Sequence, residues 1–392
     1  MKMVSLQSLV SKVSQSAGEN KYPVLSITAG VGFVKQAEKF GKEIAGTQYV
    51  HYTVLKKGDF SYNKGNSKTS PQGCIYRQDD EEYAAVPNVF NSFHFTSPDC
   101  DTTYYKYLFE SGYLNRQLCR LINSGVRNDG LLNIYDEDFY GCTVPCPPLE
   151  EQKRIAEILE CCDKVIRLKL ELIEEKKKQK KSLMQKLLDP NSGFRLPGFK
   201  GEWRKKSLGE LAQTFSGGTP SRDNRDYYGG TIPWLKSGEL NSRVIVKTEE
   251  YITPLALNSS SAKMVKAGTL LLALYGATAG VIAITKIDVA INQAILAIEN
   301  SDVIDTHYLY YSLLNQIDIA KNKYTQGGQP NFNAGIIRLL IIDYPEKAEQ
   351  QAIATILSSA DHELDLLEQD LTQWEQKKKS LMQLLLTGKV RV

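Results

Sequence analysis

Residues 151–188 recur at 349–386 with a constant offset of 198 and no gap. Matched pairs include Glu151/Glu349, Gln152/Gln350, Ile155/Ile353, Ala156/Ala354, Ile158/Ile356, Leu159/Leu357 and Asp163/Asp361, and the run Lys180-Lys181-Ser182-Leu183-Met184-Gln185 returns unchanged at 378–383. A repeat at fixed spacing constrains a fold more tightly than any single motif, because each copy must build the same local unit. Two copies half a chain apart predict a pseudo-twofold internal repeat.

Both copies read as long helices. Ile353, Leu357, Ala360, Leu364, Leu367, Leu371, Trp374, Lys378, Leu381 and Leu385 follow alternating steps of four and three, the seam of a coiled coil. Ile155, Leu159, Cys162, Ile166, Ile173, Leu183 and Leu187 hold the same register in the first copy, where Lys169, Lys176 and Lys180 interrupt it. Pro145, Pro147 and Pro148 precede the first helix and Pro345 the second; Asp189-Pro190-Asn191-Ser192-Gly193 and Thr387-Gly388 end them. At 1.5 Å per residue each helix extends about 55 to 60 Å, and a lone helix of that kind is poorly stable in water. The second copy is the natural partner, its apolar stripe laid against the first.

A chain of 392 residues exceeds what one hydrophobic core supports. The repeat divides it into a globular segment at 1–147, a helix at 148–189, a second globular segment at 190–345 and a helix at 346–392. The segments resemble each other faintly: Ser5-Leu6 and Leu9 align with Ser207-Leu208 and Leu211, Thr103-Tyr104-Tyr105 with Thr306-His307-Tyr308, and Gly130 and Asn133 with Gly328 and Asn331. Short apolar runs, turn signals such as Gln326-Gly327-Gly328 and helical stretches near 102–123 and 305–322 make each a mixed α+β domain. The fold class is therefore α+β: two such domains with two long coiled-coil helices. Ala267 to Thr285 carries no charge, but two strand-like runs around Gly276-Ala277-Thr278-Ala279-Gly280 predict a hairpin, not a membrane span.

The net charge of +3 does not announce a nucleic-acid binder, and residues 1–147 hold 15 basic and 15 acidic side chains. Any DNA-facing surface must come from local clustering. Seven cysteines, all between Cys74 and Cys162, form no disulfide framework, and together with an N-terminus lacking a signal-peptide core they point to the cytoplasm. Neither Cys142, Cys146, Cys161 and Cys162 nor the scattered His51, His94, His307 and His362 match a zinc spacing. No phosphate-binding loop, glycine-rich cofactor turn or Asn/Asp-Pro-Pro-aromatic tetrapeptide is present, and Pro98-Asp99 with Glu174-x-Lys176 is too widely spaced for a nuclease signature. A binding protein is expected, not an enzyme.

At the junctions, Cys146-Pro147-Pro148-Leu149-Glu150-Glu151-Gln152-Lys153-Arg154-Ile155-Ala156 resembles the start of a conserved region in specificity subunits of type I restriction-modification enzymes, as does Tyr344-Pro345 through Glu349-Gln350-Gln351-Ala352-Ile353-Ala354. Arg195-Leu196-Pro197-Gly198-Phe199 and Ser216-Gly217-Gly218-Thr219-Pro220-Ser221 look like further landmarks of that family, the latter opening a target-recognition domain. The first domain departs from the pattern, with Ser14-Gln15-Ser16-Ala17-Gly18 at the corresponding place. The resemblance implies a non-catalytic subunit whose two target-recognition domains, separated by the two long helices running antiparallel, read the halves of a bipartite, asymmetric site on double-stranded DNA. It further implies two modification subunits that methylate adenine, and two restriction subunits where cleavage accompanies modification. S-adenosylmethionine, ATP and magnesium would then belong to those partners, with no cofactor in this chain and no membrane contact.

Base readout needs Arg, Asn or Gln on loops, and phosphate contacts need Lys, Ser, Thr or backbone amides near glycine. The candidates are Asn63, Lys64, Asn66, Lys68, Arg127 and Asn128 in the first domain. In the second they are Gly217, Gly218, Thr219, Ser221, Arg222, Lys236, Tyr275, Gln326, Gln329 and Asn331. For any one of them the plain alternative is a solvated turn. Lys176, Lys177, Lys178, Lys180 and Lys181, with Lys377 to Lys379, are open to three readings: a DNA contact, a partner contact or a solvated helix face. The competing function is a coiled-coil scaffold whose globular domains bind proteins, with DNA contacted mainly by partners.

Overall fold

The computed structural model describes residues 2–42, 44–65, 70–122, 132–326, 329–330 and 332–392. Its organising elements are two helices of 40 residues each, Leu149–Leu188 (α1) and Lys347–Leu386 (α2), neither holding an internal proline or glycine. Every seam position named above on α2 is buried or half-buried, from Ile353 to Leu385. The lysines that interrupt the seam on α1 are also half-buried, and each meets a carboxylate of α2: Lys169 with Asp370, Lys176 with Glu363 at 2.6 Å and Lys180 with Asp361. These charges sit where an apolar side chain would otherwise pack, each offset by a partner on the facing helix.

The chain divides into two compact units, Met1–Glu171 with Gln369–Val392, and Leu172–Glu368, so each unit contains part of both helices. Within the first, Asp163 pairs with Lys378 at 2.5 Å and Lys169 with Asp370; within the second, Lys176 pairs with Glu363 and Lys180 with Asp361. In both, partner numbers fall on α2 as they rise on α1. The helices are therefore antiparallel in each unit.

In the first unit a four-stranded antiparallel sheet runs in the order Val10–Lys12, Asn91–Phe95, Phe60–Asn63, Cys74–Arg77. Its apolar face is aromatic: Phe60 stacks on Phe93 with ring centroids 5.5 Å apart, and Tyr62 on Phe139 at 4.7 Å. Leu25–Thr28 pairs with Gly32–Lys35, Thr53–Lys56 with Tyr83–Val86, and Met3–Ser5 with Thr143–Pro145. Leu6, Ile155, Leu159, Leu385 and Leu386 join one core, which ties the domain to both helices.

The second unit contains a five-stranded sheet, ordered Thr214–Ser216, Ile295–Ile298, Leu270–Ala273, Ile282–Thr285, Val244–Ile245. A four-stranded one is ordered Glu250–Ile252, Tyr228–Leu235, Val289–Ile291, Lys263–Val265. The uncharged stretch is the expected hairpin, with Leu270 opposite Ile284 and Leu272 opposite Ile282. It is buried on both faces, which explains why it lacks the polar alternation of a surface strand. Among the described residues no helix is long and apolar enough to cross a membrane.

The repeat extends into side-chain chemistry. Gln152 donates to the carbonyls of Pro147 and Asp99 and accepts from the Asp101 amide; Gln350 donates to those of Pro345 and Val303 and accepts from the Asp305 amide. Asp101 caps helix Thr102–Glu110 through the Tyr104 amide, and Asp305 caps Thr306–Tyr324 through that of Tyr308. The Tyr107 hydroxyl donates to Asp163, and that of Tyr311 to Asp361. These pairs correct the alignment of Thr103-Tyr104-Tyr105 with Thr306-His307-Tyr308. Tyr104 corresponds to Tyr308, one residue away, because the capping aspartates and not the Thr-x-Tyr pattern set the register. Gly130, Gly328 and Asn331 lie outside the described residues.

Candidate nucleic-acid interface

In the second unit most of the candidate residues converge on one sheet end. The strand Thr214–Ser216 delivers Gly217 and Gly218 against the chain at Ile291, where the Gly218 amide donates to the Ile291 carbonyl at 3.1 Å. A Cβ on Gly217 would lie 1.9 Å from the Ile291 carbonyl oxygen, and one on Gly218 would lie 1.9 Å from the Ser261 hydroxyl oxygen. Both glycines are thus required by packing. The Trp234 indole donates to the Gly218 carbonyl and the Tyr228 hydroxyl to that of Pro220, fixing the turn that follows.

That turn presents Thr219, Ser221 and Arg222, all exposed. Arg222 grips Glu250 with two hydrogen bonds of 2.8 and 3.2 Å, and its guanidinium lies over the rings of Tyr228 (4.4 Å) and Trp234 (5.4 Å). Lys236 reaches the same carboxylate at 2.7 Å. The hydrogen bond from Arg222, opposed by partial burial and joined by that of Lys236, holds the Glu250 carboxyl below its ordinary range. Arg222 is therefore a pre-oriented fork, not a free surface side chain.

Sequence reasoning missed Gln293 and Glu250. Gln293 is exposed and accepts from the Thr219 hydroxyl at 2.6 Å, leaving its amide available to a base edge. The tetrapeptide Asn292-Gln293-Ala294-Ile295 was the available signal, since it breaks an apolar strand with two amide side chains. Tyr275 is exposed at the turn after Leu270–Ala273, where the Leu274 amide donates to the Ala294 carbonyl and the Phe332 amide to that of Leu274. Backbone strands Thr325–Gln326 and Gln329–Pro330 pair just before Phe332, which carries Gln326 and Gln329 toward this end. Asn331 lies outside the described residues.

In the first unit the Asn63 side chain is used locally, its Oδ1 accepting from the Gly65 amide at 2.8 Å. Lys64 is half-buried and 3.4 Å from Asp136, which Lys12 also holds at 2.5 Å. Burial opposes ionisation of Asp136, yet its hydrogen bond from Lys12 and the charge of Lys64 bring its pKa below the ordinary value. Asn66, Lys68, Arg127 and Asn128 lie outside the described residues. On the helices, Lys176, Lys177 and Lys180 are engaged by Glu363, Glu368 and Asp361, whereas Lys178 and Lys181 are exposed. The seven cysteines are free thiols, and among the described residues no group of three or more His, Cys, Asp or Glu side chains is placed to hold a metal.

The family described as type I restriction modification DNA specificity domain matches the chain twice, at residues 9–179 and 200–376. The chain belongs to this DNA specificity family. Membership places it with the DNA-recognising specificity subunits of type I restriction-modification systems and not with their catalytic subunits. It is 29% identical over 308 residues to the MjaVIII specificity subunit of Methanocaldococcus jannaschii, covering 73% of this chain and 70% of that one. It is 31% identical over 188 residues to the MjaIX specificity subunit of the same organism, covering 47% of this chain and 43% of the relative. The S subunit of M. genitalium shares the fold, with a TM-score of 0.57 at 16% identity over 98% of this chain and 96% of that one.

Proposed function

We propose that this specificity subunit reads a bipartite, asymmetric DNA target and directs adenine methylation by two modification subunits, with cleavage where two restriction subunits join. The observation that carries the reading is the contrast between the halves. The Gln, Asp and Tyr contacts that seat each domain on the helices recur residue for residue, while the exposed loops carry different side chains. Equivalent seats with unlike loops suit the recognition of two unlike half-sites.

In this reading Thr219, Ser221, Arg222, Lys236, Tyr275, Gln293, Gln326 and Gln329 face one half-site, and Asn63 and Lys64 belong to the face for the other. S-adenosylmethionine, ATP and magnesium act on the partner subunits in the cytoplasm. The 40-residue helices, about 60 Å each at 1.5 Å per residue, set the number of unread base pairs.

Methylation mapping in cells that express the chain with its modification subunit gives the target. Deleting one helical turn from α1, about 5.4 Å, is expected to change the spacer or abolish modification. The same target modified at full efficiency would refute the measuring role. Gel-shift of the purified chain with and without the modification subunit separates this function from a protein-binding scaffold, which retards no duplex on its own.

A further inference from the structure

We infer that the first unit holds a seat for one phosphodiester of the DNA backbone, in a cavity of about 440 Å³ at one end of its four-stranded sheet. The inference rests on the DNA-reading function proposed above. Topology builds the seat. Strand Val10–Lys12 ends at Lys12, its antiparallel neighbour Asn91–Phe95 begins at Asn91, and the next strand, Phe60–Asn63, ends just before Lys64. All three residues line the cavity, together with Ser14, His51 and Asp136.

The lining calls for an anion. Lys12 and Lys64 share the single carboxylate of Asp136, so one positive charge is left uncompensated, and the Lys64 side chain is only 16% exposed. Asn91 is 4% exposed, and among the described residues its Nδ2 has no hydrogen-bond partner. A buried amide donor without an acceptor is costly and marks a place where one is supplied from outside. Two ammonium groups, an amide donor and a hydroxyl match phosphate oxygens, which only accept; an equal loss on target and scrambled duplexes separates this from a guanine edge, whose O6 and N7 also accept. The cavity also occupies the place expected from the repeat, because Ser14 follows the first strand of its sheet as Gly218 follows Thr214–Ser216. The first domain, which lacks the Gly-Gly-Thr-Pro-Ser turn, here presents side-chain donors instead.

The test uses the full chain with its modification subunit and a duplex carrying the mapped target, with affinity measured at 50 and 200 mM salt. For B-DNA each phosphate contact adds about 0.9 to the salt exponent, so losing one shrinks the affinity ratio between those salts by about 3.5-fold. Lys12→Gln is expected to show that single step, and Lys12→Gln with Lys64→Gln the same single step because the seat holds one phosphate, equally on target and scrambled duplexes. If the double variant does not fold, Lys12→Gln carries the test, since this side chain is 56% exposed.

A scan with single methylphosphonates should then find one position that weakens the parent and leaves Lys12→Gln unaffected. An unchanged salt exponent, a loss confined to the target sequence, or no such position would overturn the phosphate seat. Inorganic phosphate at matched ionic strength should leave duplex affinity unchanged; competition together with an unaltered exponent would assign the cavity to a free anion and also overturn it. A parent complex that binds no duplex would overturn the DNA-reading function itself.

Discussion

Substituting Asp361→Asn removes the charge that three donors share in the second unit. Its carboxylate meets Lys180, the Arg243 guanidinium at 2.7 Å and the Tyr311 hydroxyl at 2.6 Å, and its side chain is 8% exposed. Removing one member of a buried ionic network costs about 3–5 kcal/mol, because the remaining charges stay desolvated. The lower half of that range applies here, since Arg243 keeps Asp365 at 2.5 Å. In a unit of about 200 residues each kcal/mol lowers the melting temperature by about 2–4 °C, so a loss of roughly 6–16 °C is expected. The equivalent Asp163→Asn in the first unit is the internal control. Asp163 holds Lys378 and Tyr107, but its side chain is 41% exposed and solvent takes over, so about 1 kcal/mol is expected. Calorimetry of the purified chain resolves this if the units melt separately, and limited proteolysis assigns the transition. Equal shifts for the two variants, or a larger one for Asp163→Asn, would refute the argument from burial.

Gly217→Ala should lose about 1–3 kcal/mol of stability in the absence of DNA, read from the urea midpoint, because its Cβ meets the Ile291 carbonyl; an unchanged midpoint would show that the turn relaxes freely. Gln293→Ala should weaken binding to the target duplex by about 1–3 kcal/mol while leaving a scrambled duplex unchanged. Arg222→Ala is expected to weaken target binding as well, and equal affinity of parent and variant for both duplexes would remove Arg222 from the interface. Asp79 is held below its ordinary pKa of 3.8: burial opposes ionisation, but the hydrogen bonds and charges of Arg77 and Lys106 prevail. A depressed carboxylate stabilises the fold above its unfolded pKa and loses that contribution as the pH falls through the folded value. Asp79→Asn should therefore be less stable than the parent at pH 6 and converge on it as the pH falls below 3.8 and through the folded value in urea titrations, whereas a difference that stays constant on acidification would contradict the assignment.

The helices were legible because their signal is periodic and repeated: the seam from Ile353 to Leu385 and the offset of 198 both follow from sequence alone. Leu270–Ala273 and Ile282–Thr285 were equally plain, since small residues between two apolar runs leave few alternatives to a hairpin. The turn at Gly217 to Arg222 was found as a motif, but its glycines are explained by Ile291 and Ser261, contacts about 40 to 75 residues away in the chain. Glu250 escaped notice because nothing local distinguishes it, and Gln293 because its one local signal, a pair of amides between apolar runs, does not name a partner; Gln293 matters through Thr219, and Glu250 through Arg222 and Lys236.

What the sequence by itself determined is the repeated frame, because helical periodicity and the capping prolines act over a few residues and are written there in full. The partnering of Lys169, Lys176 and Lys180 with acids of the facing helix was decided only in three dimensions, and so was the register that equates Tyr104 with Tyr308. The gathering of Lys12, Lys64 and Asn91 around one cavity belongs to the same class. Each depends on which strand or helix lies beside which, and on the cost of leaving a buried charge or amide without a partner.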